Sequence, residues 1–127
     1  MTPVLVRVDV SSAVPPYEQV RIQIADLILS GQLPQDERLP TVRQLAADLG
    51  LAVATVARSY RELEAAGLVT SRRGAGTRVT FAARNTPALD EQLAQAARVF
   101  VTTGRGLAAS DDQLLAAVRL ALTTDHE

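Results

Sequence analysis

Residues 39–79 read LPTVRQLAADLGLAVATVARSYRELEAAGLVTSRRGAGTRV, and the fold is decided there. Thr41 and Gln44 stand three apart, the spacing of a capping box, in which each side chain meets the other residue's backbone at the first turn of a helix. Behind them Val42, Leu45 and Leu49 recur at helical spacing and define a buried face, with Arg43 off that face. Gly50 tolerates a left-handed backbone, so the chain turns sharply into the next helix. That helix is predicted from about Val53 to Ala66, with Val53, Val56, Tyr60 and Leu63 sharing the face that packs on its neighbours. Gly67 ends it. Leu68 and Val69 begin a strand, Val79 and Phe81 lie on the returning one, and Ser71-Arg72-Arg73-Gly74-Ala75-Gly76-Thr77 makes the tip between them. The succession is a helix-turn-helix followed by a β wing.

The opposite face of the second of these helices shows Ala54, Thr55, Ala57, Arg58 and Arg61. A helix of this size fits the major groove of B-DNA, and small residues near its start allow close approach to base edges. The glycines of the tip suit a backbone that must come near another surface. The adjoining arginines suit phosphates or a narrow minor groove. The net charge is only −1, but its distribution is uneven. Residues 1–40 balance to −2, residues 41–85 to +4 and residues 86–127 to −3. All the positive charge is arginine, whose planar fork matches phosphate and guanine edges better than a lysine does.

Outward from this centre, Val4, Val6, Val8 and Val10 alternate with other residues and predict a short strand. Pro15 and Pro16 follow, and Pro16 suits the first position of a helix over about 17–30. Tyr17, Val20, Ile24, Leu27 and Ile28 form its apolar stripe, and Gly31 stops it. Gln32 to Arg38 is a polar connection. Beyond the wing, Ala82 to Pro87 is a polar joint. A fourth helix then carries Leu89, Leu93, Ala96, Ala97 and Phe100, with Gly104 and Gly106 ending it. Ser110, Asp111 and Asp112 read as the N-terminus of a fifth helix rather than as a metal or acid–base pair, because acids there face the positive end of the helix dipole. Leu114, Leu115, Val118 and Leu122 give that helix its apolar face. A helical hairpin of this size has too little core to stand alone. The expected solution is a homodimer in which Leu89, Leu93, Phe100, Leu114, Leu115 and Val118 form the interface; folding back on its own winged domain is the alternative. The fold class predicted is mainly α with a small β wing, a winged helix-turn-helix domain at 1–82 and a two-helix dimerisation region at 83–127.

Other classes find little support. There are no cysteines, hence no disulfide framework or thiolate metal site, and the reducing cytosol is the natural compartment. No apolar run approaches the roughly 18 residues of a membrane span, and no signal-peptide pattern opens the chain. A cytoplasmic protein that does not engage a membrane is expected. Gly74-x-Gly76-Thr77 lacks the lysine and the following helix of a phosphate loop. His126 is the only histidine, and no nucleophile elbow or paired-ligand spacing occurs, so neither an enzyme nor a metal site is expected. Winged helices also serve as protein-docking units, and charge reversal at Arg58 and Arg73 separates that reading from DNA binding.

Pro16-Tyr17-Glu18-Gln19-Val20, Gly31-Gln32-Leu33, the run from Leu39 to Ala46, the run from Thr55 to Leu63 and Arg73-Gly74-x-Gly76-Thr77 together resemble the GntR-type bacterial transcription regulators. The resemblance spans about residues 15–80. The two-helix tail is similar to that of the YtrA-like branch, in which a small C-terminal part chiefly dimerises. The resemblance implies an operator-binding homodimer that usually represses and that releases DNA when a small-molecule effector binds. It implies no cofactor, neither pyridoxal phosphate nor metal. By motif position it implies DNA contacts at Arg43, at Thr55 and Arg58 of the recognition helix, and at Arg73, Gly74 and Gly76 of the wing, with Thr41 at a phosphate. One departure concerns the entry to the recognition helix, usually of the form N-P-x-T and here Ala52-Val53-Ala54-Thr55. The cap is lost, at about 1 kcal/mol, and Ala54 is left to touch a thymine methyl. Recognition then leans on Arg43, Thr55, Arg58 and the wing.

Overall fold

The computed structural model describes residues 6–82 and 87–124. The start of the expected N-terminal strand at Val4, most of the joint before Pro87, and His126 lie outside the described residues. The chain divides into two compact units, residues 1–85 and 86–127.

The first unit contains α1 (Pro16–Leu29), α2 (Val42–Leu49), α3 (Val53–Ala65), β1 (Val69–Arg72) and β2 (Gly76–Val79). Helix α3 is its centre and packs on α1, α2 and β1. Val20, Ile24 and Ile28 of α1, Leu45 of α2, and Val56 and Leu63 of α3 are buried together with Leu39, Val69 and Val79. Each such side chain contributes about 1.5–3 kcal/mol of burial, which is what fixes three short helices in place. Pro16 takes the first position of α1 as expected. The capping box of α2 is formed on both sides, with the Gln44 N–H donating to Thr41 Oγ1 at 3.1 Å and the Thr41 N–H donating to Gln44 Oε1 at 3.1 Å. Gly50 closes α2 at φ 67°, ψ 32°.

Val53 departs from expectation: it is 49% exposed. It is the first residue of α3, so its side chain projects past the end of the helix packing. Ser59 is the buried residue that the periodicity passes over, fully enclosed on the α1 side. Its hydroxyl donates to the Tyr17 carbonyl at 2.7 Å, which satisfies the polar group that burial would otherwise penalise.

The expected N-terminal strand is also corrected. Residues 6–10 form no strand, yet the alternation does report facing: Val6 is buried and Val8 packs on the core. The partner is a helix rather than a strand. The Arg7 N–H donates to Gln23 Oε1 at 2.9 Å, and Gln23 Nε2 donates back to the Arg7 carbonyl at 2.6 Å. Gln19 does the same for Asp9, at 2.8 and 2.9 Å. Two glutamine amides thus imitate the donor–acceptor pairs of a strand edge.

Strands β1 and β2 pair antiparallel, Val69 with Val79, Thr70 with Arg78, Ser71 with Thr77 and Arg72 with Gly76. Phe81 lies beyond β2 and packs on the core from the following coil. The expected polar connection before α2 adds a third, strand-like edge. The Asp36 N–H donates to the Val79 carbonyl at 2.8 Å, the Val79 N–H to the Glu37 carbonyl at 2.9 Å and the Leu39 N–H to the Thr77 carbonyl at 2.9 Å.

The second unit contains α4 (Pro87–Gly106) and α5 (Asp111–Thr124). Gly104 does not end α4. It lies within the helix, where a Cβ would collide with the Leu114 side chain, so its small size serves close approach of α5. Ser110 and Gln113 form a second capping box, at 2.8 and 3.2 Å, and Asp111 pairs with Arg105 at 3.4 Å. Among the described residues of this unit, Leu114 is the one large apolar side chain that is buried. Leu89, Leu93, Phe100, Leu115 and Val118 are exposed. No helix among the described residues is long and apolar enough to cross a membrane, and no cluster of potential metal ligands occurs among them.

Candidate nucleic-acid interface

The outward face of α3 carries Ala54, Ala57, Arg58 and Arg61, because Val56, Ser59, Tyr60 and Leu63 are turned into the core. Thr55 lies half-buried at the edge of that face. Ala52 occupies the N-cap position with extended backbone and no side-chain hydrogen bond, as the loss of the usual cap residue predicts. The first N–H groups of α3 therefore rely on water or on a ligand at that end.

Arg58 is not a free side chain. Its guanidinium lies 3.7 Å from the centroid of the Tyr17 ring, and its Nε is 3.5 Å from a Glu62 carboxylate. Glu62 also reaches Arg21 of α1 at 3.6 Å, and Arg21 pairs with Glu18. The stack holds Arg58 on the α1 side of the exposed face and limits the rotamers it must give up to reach a ligand. At exposed sites such stacking contributes about 0.5–1 kcal/mol, little enough to be exchanged for a phosphate or a base.

Arg43 occupies the second position of α2, where a cation opposes the helix dipole. It is exposed, and among the described residues it forms no ion pair. Its placement thus costs the helix slightly, and the first turn gains cationic character facing solvent. The Thr41 hydroxyl is committed to the capping box, within 3.2 Å of Gln44 Oε1, so a contact from Thr41 to a phosphate requires that hydroxyl to leave Gln44. Tyr60 ties the two helices of the motif together: its phenol donates to the Pro40 carbonyl at 2.7 Å. Burial pushes that phenol well above its ordinary ionisation range.

At the wing tip the Ala75 N–H donates to the Arg72 carbonyl at 3.0 Å. Gly74, third in this turn, has φ 84°, a value that favours glycine. Arg73 and Gly74 are exposed, and Gly76 is half-buried. The half-burial of Gly76 has a cause that the sequence does not disclose. Arg38, far off in the chain, lies across it, with Nε 2.9 Å from where a Cβ would stand. Thr41, Arg43, Thr55, Arg58, Arg73, Gly74 and Gly76 all belong to the first compact unit. Of the six residues expected at a dimer interface, five are exposed, while Leu114 is buried within its own chain.

The sequence model of the bacterial regulatory proteins, gntR family, matches residues 16–79. The HTH-type transcriptional regulator Rv1152 of Mycobacterium tuberculosis is 46% identical over 101 residues, 80% of this chain and 80% of that protein. The HTH-type transcriptional repressor YtrA of Bacillus subtilis is 35% identical over 82 residues, 65% of this chain and 63% of its own length. Among solved structures, the AraR DNA-binding domain in complex with operator ORX1 superposes with a TM-score of 0.54 at 26% identity, covering 63% of this chain and 100% of that domain.

Proposed function

Since the chain belongs to the gntR family of bacterial regulatory proteins, DNA-binding transcriptional regulators, and is similar to its YtrA-like branch, we propose that it is a homodimeric repressor of a pseudo-palindromic operator. The outward face of α3 carries the proposal: it presents Ala54, Ala57, Arg58 and Arg61, small residues at its start and two arginines in its middle, with Glu62 paired to Arg58 and Glu64 one turn beyond Arg61. That face enters the major groove, with Ala54 against a thymine methyl and Thr55 and Arg58 at base edges. Arg43 and Thr41 at the start of α2 meet phosphates. Arg73 and Gly74, with Gly76 behind them, enter the adjacent minor groove. The likeness of 63% of this chain to the AraR domain bound to its operator supports this docking.

Residues 1–82 act as the DNA-binding domain and residues 83–127 as the dimerisation region. Leu89, Leu93, Phe100, Leu115 and Val118 are covered by a second copy, and the same region is where a small-molecule effector would bias the dimer. Leu114 supports that interface from behind by fixing α5 on Gly104. The naming of the relatives as regulators supports a role without catalysis. Selection of bound duplexes from a random pool with the purified full chain tests the reading. An enriched inverted repeat, whose affinity falls steeply with salt as counterions are released, is the expected result. A pool that stays flat, or a bound sequence without two-fold symmetry, overturns it.

A further inference from the structure

The outer side of the wing carries arginines that the tip does not account for. In an antiparallel ladder, directly paired residues and those two positions along share a face. The register therefore sets Thr70 with Arg78, and Arg72 with Gly76, on one side. The bridge between Arg38 and Arg78 adds Arg38 to the same side. A shallow groove whose lining includes Asp36, Thr70, Arg72, Gly76, Arg78 and Thr80 runs along this face, and Arg38 is not part of that lining. Val69 and Val79 point the other way, into the core.

Two of the three guanidiniums are held in place. Arg38 lies across Gly76, which has no side chain to displace it. Arg78 donates to the Asp36 carbonyl at 3.1 Å, made available by the left-handed backbone of Asp36 at φ 72°. That single bond leaves most of its N–H groups unspent. Among the described residues, none of the three forms an ion pair with a carboxylate. Three arginines share this face with Asp36 as the one acid lining the groove, so the balance of charge along it is positive and favours an anion.

We propose that Arg38, Arg72 and Arg78 form a phosphate-binding strip for the sugar-phosphate strand that flanks the groove entered by the wing tip. The proposal rests on the DNA-binding reading above. A minor groove about 6 Å wide has a phosphate row on each side, so a hairpin tip inserted there brings one flank against such a row. The flank away from the core is the one bearing the three arginines. They touch phosphate oxygens and no base, and so add affinity and orientation without sequence preference.

The test uses the full chain and two probes: the duplex enriched from the random pool and a mixed-sequence duplex of equal length. Arg38→Ala and Arg72→Ala are each expected to weaken binding to both duplexes by the same factor. Each should also lower the slope of log affinity against log salt by about 0.9 for every phosphate that is no longer neutralised. Arg38→Lys, which keeps the charge, is expected to retain most of the slope. Arg72→Ala, at the solvent-exposed end of β1, carries the test should Arg38→Ala fail to fold. An unchanged slope in folded variants, or a loss confined to the enriched duplex, overturns the strip. Failure of the wild-type protein to bind either duplex overturns the DNA-binding reading instead.

Discussion

At Gly76 two demands meet. Its φ of +75° suits glycine, and the Arg38 guanidinium fills the space where a Cβ would stand. Gly74 shares the positive φ but has open space around it. A side chain in the left-handed region costs roughly 1–2 kcal/mol, so Gly74→Ala is expected to lose about that much. Gly76→Ala should lose more, because Arg38 must also move. Urea denaturation of both variants measures the difference, and equal losses would show that the Arg38 guanidinium moves aside without cost. Tyr60 offers a second single-residue test. Tyr60→Phe removes a buried hydrogen bond to the Pro40 carbonyl and is expected to cost about 1 kcal/mol at neutral pH. Burial raises the folded phenol above its unfolded value, which is about 10. Its contribution is therefore complete below about pH 10 and drains away as the pH climbs beyond. Wild type should thus lose stability more steeply than Tyr60→Phe in that alkaline range. Parallel pH dependences of the two urea midpoints would contradict this account.

Among the elements, α3 is both the centre of the core and the proposed reader, and its weak point is its beginning. Ala52 already has the extended backbone of an N-cap, φ −66° and ψ 145°, but no side-chain acceptor. Ala52→Ser needs no backbone change and is expected to stabilise the protein by about 1 kcal/mol, read as a raised midpoint in urea. No rise would mean that water already satisfies the free N–H groups fully. The helices are legible in the sequence because their ends carry local chemistry: Pro16, the Thr41–Gln44 box, Gly50 and Gly67 each act within a turn of their own position. The wing tip is legible for the same reason. What the sequence hides is non-local. Period two at Val6 and Val8 reports which side meets the core and is silent on the partner, so nothing in it marks two glutamines on α1 as the substitute for a neighbouring strand. Gly104 reads as a helix breaker because a glycine that ends a helix and one that admits Leu114 look alike until α5 is in view. Arg38 and Gly76 are separated by most of the motif, and no spacing rule brings them together. Residues on the outward face are easier to find than their supports, because an exposed arginine is visible in a sequence while Tyr17 beneath Arg58 is not.

For the molecule as a whole, the balance between covered and uncovered apolar surface differs sharply between the two units. In the first, most large apolar residues of α1–α3 and the wing close on one another, with Ile22, Leu29 and Val53 left exposed. In the second, Leu93 is 57% and Leu120 68% exposed, and Leu89, Phe100, Leu115, Val118 and Leu122 are exposed with them. Exposed large apolar side chains in such number are uncommon on a monomer and point to an interaction site. The proposed homodimer would cover it without a further component, and would also supply what a single winged domain lacks. One recognition helix reads one half-site, and a palindrome needs two held at a fixed spacing. Joining two readers makes the second binding event intramolecular, which raises affinity by roughly 10²–10⁴-fold without any new contact. A double variant, Leu93→Asp with Phe100→Asp, places charge in the middle of the α4 face and is expected to sediment as a monomer. Its affinity for an isolated half-site should match wild type, while its affinity for the full inverted repeat falls by a factor in that range. Sedimentation as a dimer with full affinity for the repeat would exclude the α4 face as the interface. Monomers that still bound the repeat at wild-type strength would show that dimerisation through α4 and α5 contributes nothing to operator recognition.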